Sequence, residues 1–229
     1  MMSATINQIE THVQFLSAEE AVKQIPEAAK IMVGGFGFPG MPRYLSKALI
    51  NKTNLHNLTL IMNSLGSVSV LNDLFVQNRI KKVIGSFFST NKDLVKAYRE
   101  GNVEIELLPQ GTFTEAIRLG GAGIPAFYTP TAAGTDLAKG KEIRVFNGRE
   151  HVLEHSLTAD VAIIRAHKAD KAGNLVYKKT AQNFNPVMAT AAKLTIVEVD
   201  EIVEIGELDP DSIVTPFIFV DIVVKREEI

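Results

Sequence analysis

The sequence predicts an α/β fold: an open, largely parallel, doubly wound sheet with helices on both faces and a β-rich second half. Strand-like and helix-like segments alternate four times within residues 1–120, the rhythm of such a sheet. The pair Asn147-Gly148 stands between two strand-like runs and predicts a hairpin. With 46% hydrophobic residues, the 229-residue chain can bury one large core. We expect a single domain over residues 1–229, with the hairpin as an insertion at about 140–155.

The first half contains four predicted strand–helix units after an initial helix. A capping box of Ser17 and Glu20 opens that helix, over residues 18–25. An apolar run ending in glycines then predicts a buried strand, and Pro42 fits the first turn of the next helix. Asn91 is a predicted N-cap and Gly101 a predicted stop. The predicted strands cover residues 30–33, 57–63, 80–88 and 103–108, and the helices 43–50, 68–78, 92–100 and 112–123.

The second half departs from this alternation. Residues 123–136 are rich in Gly, Pro and Thr, which predicts a long loop. The Asn-Gly hairpin over residues 141–155 follows it. Four further strands and one helix complete the chain: strands over 159–170, 173–179, 193–203 and 217–225, and a helix over 185–193.

Composition excludes several classes of function. The net charge is −2 with basic and acidic residues interspersed, so neither nucleic acid nor an anionic membrane surface is an expected partner. The absence of cysteine excludes a thiolate nucleophile and a cysteine-ligated metal. The N-terminus lacks the features of a signal or transit peptide, and no apolar run reaches the roughly 18 residues of a membrane span. We expect a soluble, cytoplasmic protein.

Residues 34–40, GGFGFPG, contain the G-x-G-x-x-G pattern of dinucleotide sites. A strand–glycine turn–helix unit directs backbone N–H groups at an anionic ligand. A dinucleotide site also needs an acidic residue after the second strand, but Asn63 and Ser64 stand there. This makes a nicotinamide dehydrogenase an unfavoured interpretation. A tight turn that binds nothing remains an alternative.

Two patterns resemble metal sites. His151 and His155 match H-x-x-E-H, which needs a helix, whereas they stand in a predicted strand, where residues four apart lie about 13 Å from each other. The carboxylates of residues 198–209 alternate with apolar residues, as does the sequence around Asp160, Asp170 and Asp200, which indicates a solvated face. We expect no metal site.

Uncharged, amide-rich loops follow the carboxyl ends of the predicted strands. They are residues 34–40, Asn63-Ser64 and residues 109–112, with a GGAG cluster at 120–123. In an open parallel sheet the ligand crevice lies beyond those ends. Backbone N–H groups and amide side chains there can stabilise an oxyanion, while the attacking group comes from elsewhere, for example another chain.

The motifs that carry a family resemblance cover nearly the whole chain. They include VGGFGFPGMP, PQGTFTEAIRLGGAGIPAFYTPTAAGT, TAQNFNP and IVEVDEIVEIGELDPDSIVTP. With these the chain resembles the alpha-type (A) component of family I CoA-transferases, a group that includes the acetate or butyrate–acetoacetate (3-oxoacid) enzymes.

The resemblance implies ping-pong transfer of CoA between a short-chain acyl-CoA and a carboxylic acid. The nucleophilic glutamate, which forms a glutamyl-CoA thioester, then belongs to a B subunit, and the expected assembly is an A2B2 heterotetramer. CoA is a substrate, and no tightly bound cofactor is expected. The resemblance places Gln110 and Asn63 in the active site, and it assigns CoA binding to Gly34, Gly35, Phe36, Gly37, Phe38, Pro39 and Gly40.

The chain departs from the family pattern at two positions. Ser64 stands where the animal enzyme has the second residue of an Asn-Asn pair, and Gln182 stands where members often have arginine. These departures leave a second hypothesis open, a non-catalytic paralogue that binds CoA or acyl-CoA.

Overall fold

A computed structural model describes residues 12–52, 54–67 and 69–227. Residues 1–11, which contain most of the N-terminal segment expected to lack a targeting signal, lie outside the described residues, as does Val68 at the start of one predicted helix. Within the described ranges, the helices are all too short or too polar to cross a membrane.

The regular elements follow the predicted order. The strands are β1 (Gln14–Phe15), β2 (Lys30–Val33), β3 (Leu58–Ile61), β4 (Ile80–Gly85), β5 (Glu104–Leu107), β6 (Ala126–Thr129), β7 (Ile143–Phe146), β8 (Arg149–His155), β9 (Ala159–Arg165), β10 (Lys168–Asp170), β11 (Leu175–Val176), β12 (Ala192–Val199), β13 (Glu201–Val203) and β14 (Ile222–Lys225). The helices are α1 (Ala18–Lys23), α2 (Arg43–Asn51), α3 (Asn72–Val76), α4 (Lys92–Arg99), α5 (Gln110–Gly121) and α6 (Asn185–Ala189).

Eight strands form one parallel sheet in the order β1-β14-β12-β9-β2-β3-β4-β5. From β2 the chain builds outward through β3, β4 and β5, and later it returns to the other side of β2 to add β9, β12 and β14. The order therefore reverses between β2 and β9. In this class of sheet the ligand crevice lies at such a reversal, beyond the carboxyl ends of the strands.

The two faces of the sheet carry separate hydrophobic cores. Successive residues of β2 alternate between them: Ile31 and Val33 belong to one core and Met32 to the other. Helices α1 to α4 cover the first face and α5 and α6 cover the second. Helices on both faces of a parallel sheet confirm the doubly wound prediction.

Local sequence signals account for several element boundaries. The Ser17–Glu20 capping box is formed at α1, and the Asn91 side chain accepts the Leu94 N–H at 3.0 Å at the start of α4. Asn147 and Gly148 both have positive φ, 51° and 73°, as a two-residue hairpin turn between β7 and β8 requires.

Three expectations need correction. Residues 123–136 are not all loop, because β6 pairs antiparallel with β8 and turns the hairpin into a three-stranded sheet. The helix predicted over 68–78 is shortened to the five residues of α3. The strand predicted over 159–170 divides into β9 and β10, since Ala166 and His167 carry the chain from the large sheet to the small sheet with β11 and β13. In each case pairing with distant segments overrides the local pattern.

Candidate active site

The glycine loop, residues 34–40, connects β2 to α2 at the reversal point of the sheet, so the predicted strand–turn–helix unit is confirmed. Gly35, Gly37 and Gly40 have φ of 107°, 60° and 72°, values that side-chain-bearing residues rarely adopt. The loop is closed internally by the Phe36 N–H, which donates to the Pro39 carbonyl at 3.1 Å.

The two ends of the loop are packed against residues 181–185. A Cβ on Gly34 would overlap the Asn185 side chain, and one on Gly40 would overlap both Asn185 and the Ala181 carbonyl. Asn185 is fully buried and donates through Nδ2 to the Gly40 carbonyl at 3.0 Å and the Ala181 carbonyl at 2.8 Å. Its Oδ1 accepts the Arg165 N–H at 2.9 Å. Asn185 thus fixes the loop to the end of β9.

The tip of the loop faces open space. A Cβ on Gly37 would meet no atom within 4 Å, and the Gly37 and Phe38 N–H groups donate to no described residue. Phe38 is 57% exposed, and the Arg43 guanidinium lies over its ring at 5.2 Å. Phe36 stacks on Phe184 with ring centroids 6.3 Å apart. The loop therefore presents free amides beside two aromatic rings.

Asn63 follows β3, on the strand next to the glycine loop. Its carbonyl accepts the N–H groups of Ser86 and Phe87 at 3.0 and 3.1 Å, which holds the ends of β3 and β4 together. Its side chain is buried, yet Oδ1 has no hydrogen-bond partner among the described residues. The hydroxyls of Ser86 and Thr112 are also buried without a partner in that part of the chain. Buried polar atoms are usually paired, so unpaired ones at a crevice indicate groups available to a ligand.

Gln110 is the first residue of α5, directly after β5. Its side chain is exposed and makes no hydrogen bond with a described residue. One strand separates β3 from β5, so Asn63 and Gln110 stand about 10 Å apart across the sheet edge. The structure therefore places the predicted residues on one edge, with the glycine loop next to Asn63 and Gln110 further along. A narrow cavity of about 50 Å³ joins the loop tip to Ser64.

Sequence reasoning missed a buried carboxylate, Glu198 on β12. The expectation of a solvated face over residues 198–209 is wrong at this position, because β12 lies between β9 and β14 and Glu198 is only 1% exposed. Its Oε2 accepts the Leu45 N–H at 2.9 Å in the first turn of α2. Burial raises the pKa of Glu198 to about 7, against the Leu45 hydrogen bond and the charges of Arg165 and Arg226, which lower it. The uninterrupted apolar residues of β12 were the available signal for burial on both faces.

Asp200, at the end of β12, organises a second set of charges. It accepts from Arg165 at 3.1 Å, from Arg226 at 2.9 Å and from His167 at 3.0 Å. Partial burial raises the pKa of Asp200, but the His167 hydrogen bond and the two arginines outweigh it and leave the pKa below its usual value. Two arginines and a histidine thus converge at the carboxyl ends of β9, β12 and β14, on one side of the glycine loop.

The remaining carboxylates have structural contacts. Asp170, expected to be solvated, is buried and accepts the N–H groups of Ala172 and Asn174 at 3.0 and 2.9 Å, which closes a turn. Asp160 accepts the Lys30 N–H at 3.0 Å.

The H-x-x-E-H segment lies on strand β8, as predicted, with the exposed His155 four residues from His151. Its buried Glu154 pairs with Lys141 at 2.8 Å. Across the residues that the structure describes, no three His, Asp or Glu side chains are placed to hold one metal ion.

Comparisons with known proteins agree with this architecture. The chain is 48% identical over 209 residues to the A chain component of the probable succinyl-CoA:3-ketoacid coenzyme A transferase of Bacillus subtilis (strain 168), covering 91% of this chain and 87% of the relative. It is 42% identical over 216 residues to the alpha component of the acetate CoA-transferase of Escherichia coli (strain K12), covering 94% and 98%. The crystal structure of an acyl-CoA transferase apoenzyme from Escherichia coli O157:H7 superposes with a TM-score of 0.83 at 23% identity, covering 93% of this chain and 47% of that one.

A family model described as coenzyme A transferase matches residues 15–226, which include every element of the large sheet except the first residue of β1. The match spans the glycine loop, Asn63, Gln110 and Glu198. The chain belongs to the coenzyme A transferase family.

Proposed function

We propose that this chain is the alpha-type (A) component of a heteromeric CoA-transferase that moves CoA between a short-chain acyl-CoA and a carboxylic acid of the acetate, butyrate or acetoacetate type. One observation carries the proposal: the carboxyl edge of the sheet presents unpaired amides and hydroxyls without a nucleophile beside them. Family membership and relatives named as the A or alpha components of such enzymes support it.

In the proposed reaction a glutamate of the B subunit is the nucleophile and attacks the thioester carbonyl. The C–S bond breaks, CoA leaves as thiolate and an acyl-glutamyl anhydride forms. The thiolate attacks the glutamyl carbonyl, which releases the carboxylic acid and leaves a glutamyl-CoA thioester. A second acid repeats the two steps in reverse, which regenerates the glutamate and gives the new acyl-CoA.

In this reaction the chain supplies binding and electrostatic stabilisation. The glycine loop, residues 34–40, contacts CoA through the free N–H groups of Gly37 and Phe38 and through its exposed aromatic rings. Gln110 and Asn63 donate side-chain N–H groups to the oxygen that becomes negative during each attack. Ser64, in place of a second amide, lines the narrow cavity beside the loop and does not remove this function.

The proposed assembly is an A2B2 heterotetramer, since the site is complete only with the glutamate of the B subunit. The relatives differ in the acid named: succinate and a 3-ketoacid for one, acetate for another. The substrate panel must therefore include mono- and dicarboxylates.

The test is reconstitution. The chain is purified with the B subunit encoded beside it, and CoA exchange is measured between acetyl-, butyryl-, acetoacetyl- and succinyl-CoA and the corresponding acids. We expect exchange only when both proteins are present, with each protein by itself as the control. Binding of acyl-CoA without any exchange by the assembled pair would contradict the proposal and support a non-catalytic paralogue.

A further inference from the structure

A cavity of about 450 Å³ opens between the glycine loop and the exposed face of α2. Four of its lining side chains are cations. Arg43 and Lys47 lie one turn apart on α2, are exposed, and form no ion pair with a described residue. Arg165 and Arg226 form the opposite wall, each about 25% exposed. This concentration of positive charge contrasts with the net charge of −2 of the whole chain.

The carboxylates near the cavity do not neutralise it. Asp200 is shared between Arg165 and Arg226, and Glu198 is buried in the wall with a pKa of about 7. If both are ionised, the four cations retain a surplus of two positive charges, and near neutral pH the surplus is larger because Glu198 is partly protonated. A desolvated cluster of like charge is unfavourable by itself, so it indicates an anionic ligand.

The cavity lies at the reversal point of the sheet, between the ends of β2 and β9. A second cavity of about 480 Å³ shares Phe38, Arg43 and Arg165 with it and adds Lys178 and Lys179. On its other side, Phe38, Met41 and Ser69 are shared with the 50 Å³ cavity that reaches Ser64. A continuous path therefore runs from the cations, past the glycine loop, to the residue next to Asn63.

We propose that the cationic cavity formed by Arg43, Lys47, Arg165 and Arg226 binds the phosphate groups of the nucleotide end of CoA. This deepens the proposed function and rests on it. From β9 to β5 the sheet edge spans about 19 Å, so a ligand anchored at Arg165 must be extended to reach Gln110. Acyl-CoA is such a ligand, with its phosphates at one end and its thioester at the other.

Two features favour phosphates over the carboxylate of a substrate acid. Phosphate groups present several acceptor oxygens and more than one negative charge, which matches a cluster of three arginines and a lysine. A short-chain acid must lie at the thioester, on the Asn63 and Gln110 side, and cannot reach α2 at the same time. An acidic surface of a partner protein on Arg43 and Lys47 is the competing occupant.

The experiment compares acyl-CoA with acyl-pantetheine, which has the thioester but no phosphates. In the assembled enzyme, kcat/KM is measured for both substrates in the unsubstituted protein, in Arg43→Gln/Lys47→Gln, and in the control Lys92→Gln/Lys96→Gln, which removes two charges from the exposed face of α4. We expect the ratio of kcat/KM for acyl-CoA over acyl-pantetheine to fall roughly 10- to 100-fold in the first variant, mostly through KM, and to stay unchanged in the control.

An unchanged ratio in Arg43→Gln/Lys47→Gln would overturn the inference. Weaker assembly with the B subunit, with that ratio unchanged, would assign the two residues to the acidic surface of a partner instead. A failure of the proposed function is distinguishable, because the unsubstituted enzyme would then transfer CoA from neither substrate. Since the readout is a ratio within each variant, a partial loss of folded protein affects both substrates equally and does not alter it.

Discussion

The carboxyl edge of the sheet has two sides that differ in how their polar groups are satisfied. On the β9–β12–β14 side the charges are paired: Asp200 bonds two arginines and a histidine, and Asn185 makes three hydrogen bonds. On the β3–β4–β5 side the groups are uncharged, and the side-chain oxygens of Asn63, Ser86 and Thr112 are buried without partners among the described residues.

The difference separates binding from chemistry. A paired, charged side is rigid and keeps a surplus of positive charge for a charged part of the substrate. An unpaired, neutral side offers groups that gain a partner only when an oxyanion forms, which is the arrangement that lowers a barrier. Substitutions on the first side should therefore change stability or substrate binding, and substitutions on the second should change the rate.

The largest expected effect on stability comes from the glycine loop. Gly40→Ala forces a left-handed φ of 72° on alanine and places its Cβ against Ala181 and Asn185, so we expect a loss of roughly 2–5 kcal/mol in the free energy of unfolding. Gly37→Ala has a φ of 60° but open space, and we expect a loss of only about 1–2 kcal/mol. Urea denaturation of both variants measures the difference; equal losses would contradict the packing account.

Gln110→Ala should raise the activation barrier of CoA transfer by roughly 2–4 kcal/mol, because an oxyanion donor is removed. Gln110 is exposed and unbonded to the described residues, so the melting temperature should stay close to that of the unsubstituted protein. The matched control is Gln182→Ala, an exposed glutamine on the other side of the glycine loop. Steady-state kcat decides, and an unchanged kcat for Gln110→Ala would remove this residue from the site.

The two buried asparagines compare the sides directly. Asn185→Ala leaves the Arg165 N–H and two carbonyls unpaired, and we expect it to reduce the free energy of unfolding by roughly 2–4 kcal/mol. Asn63→Ala deletes a side chain whose Oδ1 is already unpaired among the described residues, so the expected loss is below about 1 kcal/mol, with kcat reduced at least about tenfold. If Asn63→Ala lost as much stability as Asn185→Ala, the two sides would not differ as described.

The smallest effect concerns pH. The pKa of Glu198 rises from 4.5 to about 7 on folding, so the folded protein binds more protons than the unfolded chain between these values. Stability contributed by this group therefore declines as pH rises from about 4.5 to 7.5, by roughly 2–3 kcal/mol. Glu198→Gln keeps an acceptor for the Leu45 N–H but cannot ionise, so its stability should rise relative to the unsubstituted protein over that range.

Chemical denaturation at intervals of pH tests this, with Glu104→Gln, an exposed position on edge strand β5, as the control. Parallel stability curves for Glu198→Gln and the unsubstituted protein would contradict a buried carboxylate that titrates near neutrality.

Local signals predicted the fold and the positions of the loops. The Ser17 capping box, the Asn91 N-cap and the Asn147-Gly148 turn each depend on residues within a few positions of one another, and each is present. The alternation of strands and helices then placed residues 34–40, Asn63 and Gln110 at one edge, because parallel strands end on the same side.

The charged side was not predictable in this way. Asn185 bonds Gly40 across 145 positions of sequence, and Glu198 bonds Leu45 across 153. A carboxylate within an alternating strand looks solvated until its strand is known to be covered on both faces, and strand β12 is covered only because β9 and β14 flank it. The contacts that make the cationic cavity are set by the strand order, which local patterns do not specify.

The central claim is that this chain stabilises the reaction while the nucleophile belongs to its partner. The most direct test incubates the assembled enzyme with acyl-CoA without an acceptor acid, then determines the intact masses of both proteins and locates any adduct by peptide mapping. The account predicts a CoA thioester on a glutamate of the B subunit and an unmodified mass for this chain. A CoA thioester on a glutamate of this chain would contradict it.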